Sequence, residues 1–270
     1  MPLGSKRIGL LAGSGEFPHI FTREARANGF EVIGIGIRKY TDTSLAGEIN
    51  NFHWIKLGEL TRLIDIFKKE GISEAVMAGK IPQRVVLSDL ALDRLAWQVY
   101  RRLKDKQPAA LLGAIVEELE NQGIKLLDSV TFLSSFLPEK GVLTRRHPSH
   151  EDQEDIDYGF KIAKEMARLD IGQTVVVKDK VVLAIEAIEG TDETIKRAAR
   201  FSKKGLVVVK VARPSQDMRF DIPVVGPKTI AVMKESGATT LALEAKKTLL
   251  IDREKLISQA NALSIAMVAI

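Results

Sequence analysis

Short apolar runs of strand length alternate with amphipathic helical segments along most of this chain, and that alternation restricts the fold more than any other feature. A strand, a crossing helix and a second strand of the same direction build a parallel sheet covered by helices. In the first half, Lys6–Ala12, Glu31–Ile37, Phe52–Lys56 and Glu74–Ala78 read as strands. Phe17–Asn28 and Glu59–Glu70 read as helices, closed by Gly29 and Gly71, since glycine tolerates the left-handed turn that ends a helix. Helical signal also covers Leu87–Lys104 and, beyond Pro108, the stretch to Gln122. In the second half Thr174–Lys178 and Val181–Ala187 flank Asp179-Lys180 as a tight hairpin. Leu206–Ala212, Thr239–Leu243, Thr248–Ile251 and Ser264–Ile270 read as further strands. Thr191–Phe201 and Pro227–Glu235 read as helices, and Asp252 as the cap of a last one.

The 270 residues suffice for two modest domains. Texture changes at Leu137-Pro-Glu-Lys-Gly141, and the polar stretch Thr144–His150 has the look of a linker. The expected architecture is therefore two α/β domains with mostly parallel sheets. Residues 1–140 form a Rossmann-like first domain and 141–270 a second.

Composition removes several classes of function. There is no cysteine, so disulfides and thiolate metal sites are excluded. No apolar run approaches the roughly 18 residues of a membrane span. The opening residues lack the pattern of a secretory signal, which makes the cytoplasm the default compartment. The 40 basic and 35 acidic residues leave a net charge of +5, scattered over helix ends such as Arg101–Lys106 and Lys203–Lys204. That distribution is not a nucleic-acid footprint. It leaves open peripheral association with the cytoplasmic face of an anionic membrane. The apolar end, Ser264–Ile270, sits in a core or pairs two copies as a homodimer.

Chemistry-bearing residues gather where strands hand over to helices, the place where open α/β sheets take their ligands. Gly13-Ser14-Gly15 follows the first strand and can present main-chain donors to a phosphate. It departs from a dinucleotide fingerprint, because Pro18 replaces the third glycine and Arg38, not an acid, ends the second strand. Gly79-Lys80 repeats the theme, with Gln83 and Arg84 behind it. His147 and His150 are a poor metal pair, since a proline separates them. Glu186-Ala-Ile-Glu-Gly-Thr-Asp192 offers oxygens at a strand-to-helix junction, where Thr191 or Asp192 can also cap the helix. Arg213-Pro-Ser-Gln-Asp-Met-Arg-Phe-Asp-Ile-Pro223 follows a run expected to be buried on both faces and holds Asp217 and Asp221. Converging carboxylates suit a hard cation such as magnesium. Acidic and basic groups at strand ends, without cysteine, suit phosphoryl or pyrophosphate chemistry.

Leu11-Ala-Gly-Ser-Gly-Glu-Phe-Pro18, Ala78-Gly79-Lys80, Leu169-Asp-Ile-Gly-Gln173, Ala184–Asp192 and Gln216–Pro223 together resemble the LpxI-type UDP-2,3-diacylglucosamine pyrophosphatases of lipid A biosynthesis. The resemblance runs nearly the whole length. It implies hydrolysis of UDP-2,3-diacylglucosamine to UMP and 2,3-diacylglucosamine 1-phosphate, with attack on the sugar-side phosphorus. It also implies a need for Mg2+ or Mn2+, and a substrate crevice between two domains. The family's essential Asp-Leu-Pro aspartate falls on Asp221, in Phe220-Asp221-Ile222-Pro223, and Val224 stands where some members have threonine. On this reading Asp221, Asp217 and Lys210 are catalytic, and Asp221 with Asp192 holds the metal. Gly13, Ser14, Gly15, Lys80, Gln173, Thr191 and Thr229 bind substrate. Leu90, Leu95, Trp97, Val99, Leu111, Leu112, Ile115 and Val116 offer either acyl-chain surface or ordinary core. The rival readings are a nucleotide-dependent oxidoreductase built on the first glycine turn and a non-catalytic phospholipid-binding protein.

Overall fold

The computed structural model describes residues 6–81, 92–104, 108–214 and 216–270. Gln83, Arg84, Leu90 and the start of the helical stretch expected from Leu87 lie outside the described residues. The chain forms two compact units, Met1–Leu133 with Met218–Asp221, and Ser134–Asp217 with Ile222–Ile270.

The first unit contains β1 (Lys6–Ala12), α1 (Phe17–Ala27), β2 (Phe30–Ile37), α2 (Leu45–Glu48), β3 (Asn51–Ile55), α3 (Leu60–Lys69), β4 (Glu74–Ala78), α4 (Arg94–Arg102), α5 (Pro108–Asn121) and β5 (Lys125–Leu126). Its sheet has the order β3-β2-β1-β4-β5, and every pairing is parallel. From β1 the chain first builds outward through β2 and β3, then returns to lay β4 and β5 on the other side. The order therefore reverses between β1 and β4, and ligands of such sheets bind beyond the carboxyl ends of the strands at that reversal. The helices follow from periodicity. In α3, Leu60, Leu63, Ile64 and Phe67 are buried on one face, and Lys68 and Lys69 close the last turn, where positive charge suits the helix dipole. Val99 and Val116 belong to the core, whereas Trp97 is half exposed and stacks on Tyr100.

The second unit contains β6 (Gly141–Val142), α6 (His150–Arg168), β7 (Thr174–Lys178), β8 (Val181–Ile185), α7 (Thr191–Ala198), β9 (Leu206–Lys210), β10 (Val224–Val225), α8 (Pro227–Glu235), β11 (Ala238–Leu243), β12 (Leu249–Leu250), α9 (Arg253–Ala262) and β13 (Ala266–Ala269). The main sheet has the order β6-β13-β11-β9-β7-β8. Its centre, β13-β11-β9, is parallel, and antiparallel strands flank it. All five residues of β9 are buried: Leu206–Val209 as an apolar run without alternation requires, and Lys210 as a charged exception at its end. β13 lies inside this sheet with both edges paired, which places the apolar terminus in a core. Asp179 and Lys180 both adopt positive φ, 51° and 57°, the geometry that matches a hairpin turn to strand twist. Buried Asp155 accepts both of their amides, at 2.9 and 2.6 Å.

Two expectations need correction, the linker at Thr144–His150 and the side-chain cap at Asp252. Thr144–His150 is no linker but is tied into the second unit. Thr144 Oγ1 accepts from Met267 N at 2.8 Å, Arg145 N donates to Asn261 Oδ1 at 2.7 Å, and Ser149 caps α6 with a reciprocal Asp152 bond. By compactness the units divide between Leu133 and Ser134, and residues 218–221 group with the first. Asp252 precedes α9 in a left-handed conformation, and its side chain makes no capping bond. The strand expected over Thr248–Ile251 is present as β12, which pairs with β10 as a separate parallel pair.

Candidate active site

In the first unit the two glycine turns meet at the reversal point of the sheet. Gly13 N donates to Ala78 O at 2.7 Å, Ser14 N to Lys80 O at 2.8 Å, and Lys80 N to Ser14 O at 3.0 Å. Ser14 Oγ also donates to Lys80 O. A side chain at Gly13 would fall 2.8 Å from Lys80 O, and one at Gly79, whose φ is +96°, would fall 2.8 Å from Gly13 C. The main chains approach too closely for any Cβ. The sequence thus brings Gly13, Ser14 and Lys80 together, but for a different first purpose. The amides of Gly13 and Ser14 are taken up by main-chain carbonyls of Ala78 and Lys80, so these two do not serve as donors of the phosphate cradle that a glycine-rich turn suggests. This removes the main support for a dinucleotide site. Ser14 Oγ keeps its acceptor lone pairs, and the Lys80 side chain is exposed.

Residues 218–221 join this unit beside β4 and β5. Ser129 N donates to Met218 O, Phe220 packs against the core, and Arg219 Nη1 reaches Glu120 Oε1 at 3.0 Å. Asp221, half-buried, ends that segment.

In the second unit one polar network connects most of the residues selected from sequence. At its centre is Lys210, the last residue of β9, with 7% of its surface exposed. Its Nζ donates to Thr191 Oγ1 at 2.9 Å and to Val224 O at 3.0 Å. Thr191 Oγ1 donates to Glu186 Oε1 at 3.0 Å and lies 3.3 Å from the Thr174 hydroxyl. Glu186 Oε2 accepts from Gln173 N at 3.4 Å, and Gln173 Nε2 donates to Gln216 Oε1 at 3.2 Å. Gln216 also accepts from Arg213 N at 2.8 Å, and Arg213 pairs with Asp170.

Two helix starts adjoin this network. Gly190, at φ 85°, is the N-cap of α7, so neither Thr191 nor Asp192 caps it. Both side chains are left to other work. Asp192 Oδ1 accepts from Thr229 Oγ1 of α8 at 3.2 Å, and its Oδ2 pairs with Lys228 at 3.2 Å. Two amino-terminal helix ends thus lie side by side with a buried lysine nearby, a concentration of positive potential suited to an anion. Glu189, beside Gly190, has its carboxyl held below the usual glutamate range by its own main-chain N–H. Burial opposes that shift, and the Arg197 guanidinium, 2.5 Å away, reinforces it.

Asp217 is half-buried in the second unit, whereas Asp221 belongs to the first. Among the described residues no three His, Asp or Glu side chains converge as a ready-made cation cage. A magnesium ion does not require one. It keeps several waters and is held by one or two carboxylates plus the phosphates of a substrate. Asp192 fits such a role, since its Lys228 partner is 84% exposed at the side chain and readily displaced.

Sequence reasoning missed Thr174, Lys164 and Glu244. Glu244, just past β11, accepts from Ala212 N at 2.8 Å and pairs with Lys164 at 3.0 Å, fixing the start of the loop that leads to Asp217. A charged residue immediately beyond a buried strand was the available signal.

A model of the LpxI N-terminal domain matches residues 7–136, and a model of the LpxI C-terminal domain matches residues 139–268. The chain is 29% identical over 276 aligned positions, 98% of either chain, to a protein of Caulobacter vibrioides named UDP-2,3-diacylglucosamine pyrophosphatase LpxI. Among solved structures, the biotin carboxylase domain of Hydrogenobacter thermophilus 2-oxoglutarate carboxylase is 11% identical over 73% of this chain and 41% of its own, with a TM-score of 0.28. The biotin carboxylase subunit of a pyruvate carboxylase is 12% identical over the same shares, also at 0.28. Likeness that weak bears on neither fold nor function.

Proposed function

The chain belongs to the LpxI family, and from that premise we propose that it hydrolyses UDP-2,3-diacylglucosamine to UMP and 2,3-diacylglucosamine 1-phosphate. One observation carries the reading in physical terms. The polar residues of the family-like segments in the second unit form a connected network around buried Lys210, beside the amino-terminal ends of α7 and α8. A diphosphate carries charge that such a site neutralises, and phosphoryl transfer depends chiefly on positioning and charge stabilisation.

In the proposed reaction a water oxygen bonds to the sugar-side phosphorus as the bond from that phosphorus to the bridging oxygen breaks. UMP departs with the bridging oxygen. Asp221 orients the attacking water and takes up its proton. Lys210, held by Thr191 and Val224 O, offsets charge on the diphosphate, and Asp217 supports the loop that joins them. Gln173, Thr191, Thr229, Ser14 and Lys80 supply polar contacts to substrate. Magnesium or manganese, when bound, would neutralise charge on the phosphoryl oxygens, and the candidate carboxylates for it are Asp192 in the second unit and Asp221 in the first, each considered by itself. The diacyl substrate is a membrane lipid, so the protein works at the cytoplasmic membrane surface. No helix among the described residues is long and apolar enough to cross it.

Hydrolysis in water enriched in heavy oxygen tests the reading. The label is expected in 2,3-diacylglucosamine 1-phosphate, turnover is expected to stop on chelation, and added magnesium is expected to restore it. Label in UMP, or no release of UMP, would overturn it.

A further inference from the structure

The segment that carries Asp221 leaves the second unit after Asp217, contributes Met218–Asp221 to the first, and returns at Ile222. We propose that Ser129 is a positioning residue that fixes this segment and thereby sets where the Asp221 carboxylate stands. Its consequence for turnover rests on the function proposed above.

Ser129 follows β5 and is 1% exposed. Its N–H donates to Met218 O at 2.8 Å. Its Oγ lies 2.6 Å from Met77 O, near the end of β4, and 2.7 Å from Arg219 O. A serine hydroxyl has one proton, so the two carbonyls share it. One small residue therefore joins three stretches of main chain: the end of β4, the turn after β5, and residues 218–219. Two side chains reinforce the join. Phe220 packs against the core cluster of the first unit, and Arg219 bonds Glu120 on α5. The main chain is thus held at both residues two and three places before Asp221, and the residue adjacent to it is anchored by its ring. A carboxylate so placed has little freedom, and a misplacement of about 1 Å at a reacting group costs about 100-fold in rate.

The experiment compares wild type with Ser129→Ala and, independently, Phe220→Ala, using the full chain. Trypsin cleavage after Arg219 is followed by mass spectrometry, because a released segment opens locally while the rest stays folded. Steady-state release of UMP from UDP-2,3-diacylglucosamine is measured in parallel. Cleavage after Arg219 is expected to accelerate about tenfold in both variants. The turnover number is expected to fall about 10- to 100-fold while KM stays within about twofold, the signature of a lost transition-state arrangement. Cleavage unchanged in Ser129→Ala would show that this residue does not hold the segment. Faster cleavage with wild-type turnover would show that the hold does not position Asp221. A wild-type protein that releases no UMP would instead sink the functional reading, and the cleavage comparison alone would then decide whether Ser129 is the clasp.

Discussion

Replacing Gly79 with alanine would place a methyl group against main chain at the meeting point of the two glycine turns. Two penalties apply. At φ +96° an L side chain is strained, by about 1–2 kcal/mol. The new Cβ would also sit 2.8 Å from Gly13 C and from Ser14 O. Both are main-chain atoms locked by the Gly13–Ala78 and Ser14–Lys80 bonds, so relief requires moving a strand end, and overpacking of that kind costs about 1–3 kcal/mol. Alanine restricts the unfolded chain and returns about 0.4–1 kcal/mol. The net destabilisation is about 2–4 kcal/mol, a drop in melting temperature of about 4–16 °C for a chain of this size. Gly71→Ala is the control. Gly71 also has positive φ, +69°, but a Cβ there meets nothing within 4 Å. It should lose only the strain net of the entropy gain, about 0.5–1 kcal/mol. Urea unfolding of both variants, followed by circular dichroism, separates the two contributions. A Gly79→Ala protein no less stable than Gly71→Ala would refute the argument that main-chain proximity, and not dihedral freedom alone, demands glycine there.

Two further perturbations probe the second unit. Thr191→Val keeps the shape but removes the hydroxyl that accepts from Lys210 and donates to Glu186. It should lower stability by about 1–3 kcal/mol and reduce kcat/KM, and unchanged urea unfolding would count against the network as drawn. Glu189→Gln probes pH dependence. The folded-state pKa of Glu189 is depressed, so its contribution is present above the ordinary glutamate pKa and is lost as pH falls through the folded value. Wild type should therefore be the more stable protein at neutral pH, and the two curves should converge in acid. Parallel curves across the acid range would contradict the assignment.

Local patterns made much of this fold readable from the chain. β9 could be placed because Leu206–Val209 is apolar without alternation, and the strand is buried throughout, Lys210 included. The hairpin could be placed because Asp179-Lys180 interrupts two valine-rich runs, and both residues take the required positive φ. Lys210 and Thr191 each stand out at a strand-to-helix junction, but their contact spans 19 positions in sequence and follows from sheet order. Thr144–His150 misled for a related reason. Its proline and histidines have the composition of a connector, while the bonds that dock it come from Asn261, Ser264 and Met267, more than a hundred residues away. The glycine turn misled because sequence shows that amides are accessible in principle, not which carbonyls they meet. Ser129 gave no signal at all, because its partners are main-chain carbonyls 52 and 90 residues away and those have no side-chain signature.

The assignment of Asp221 is tested most directly by UMP release from UDP-2,3-diacylglucosamine with magnesium present, comparing wild type with Asp221→Ala. Wild type is expected to turn over, and Asp221→Ala to lose at least about 100-fold while its circular dichroism and melting remain those of a folded protein. A well-folded Asp221→Ala protein with full turnover would contradict it.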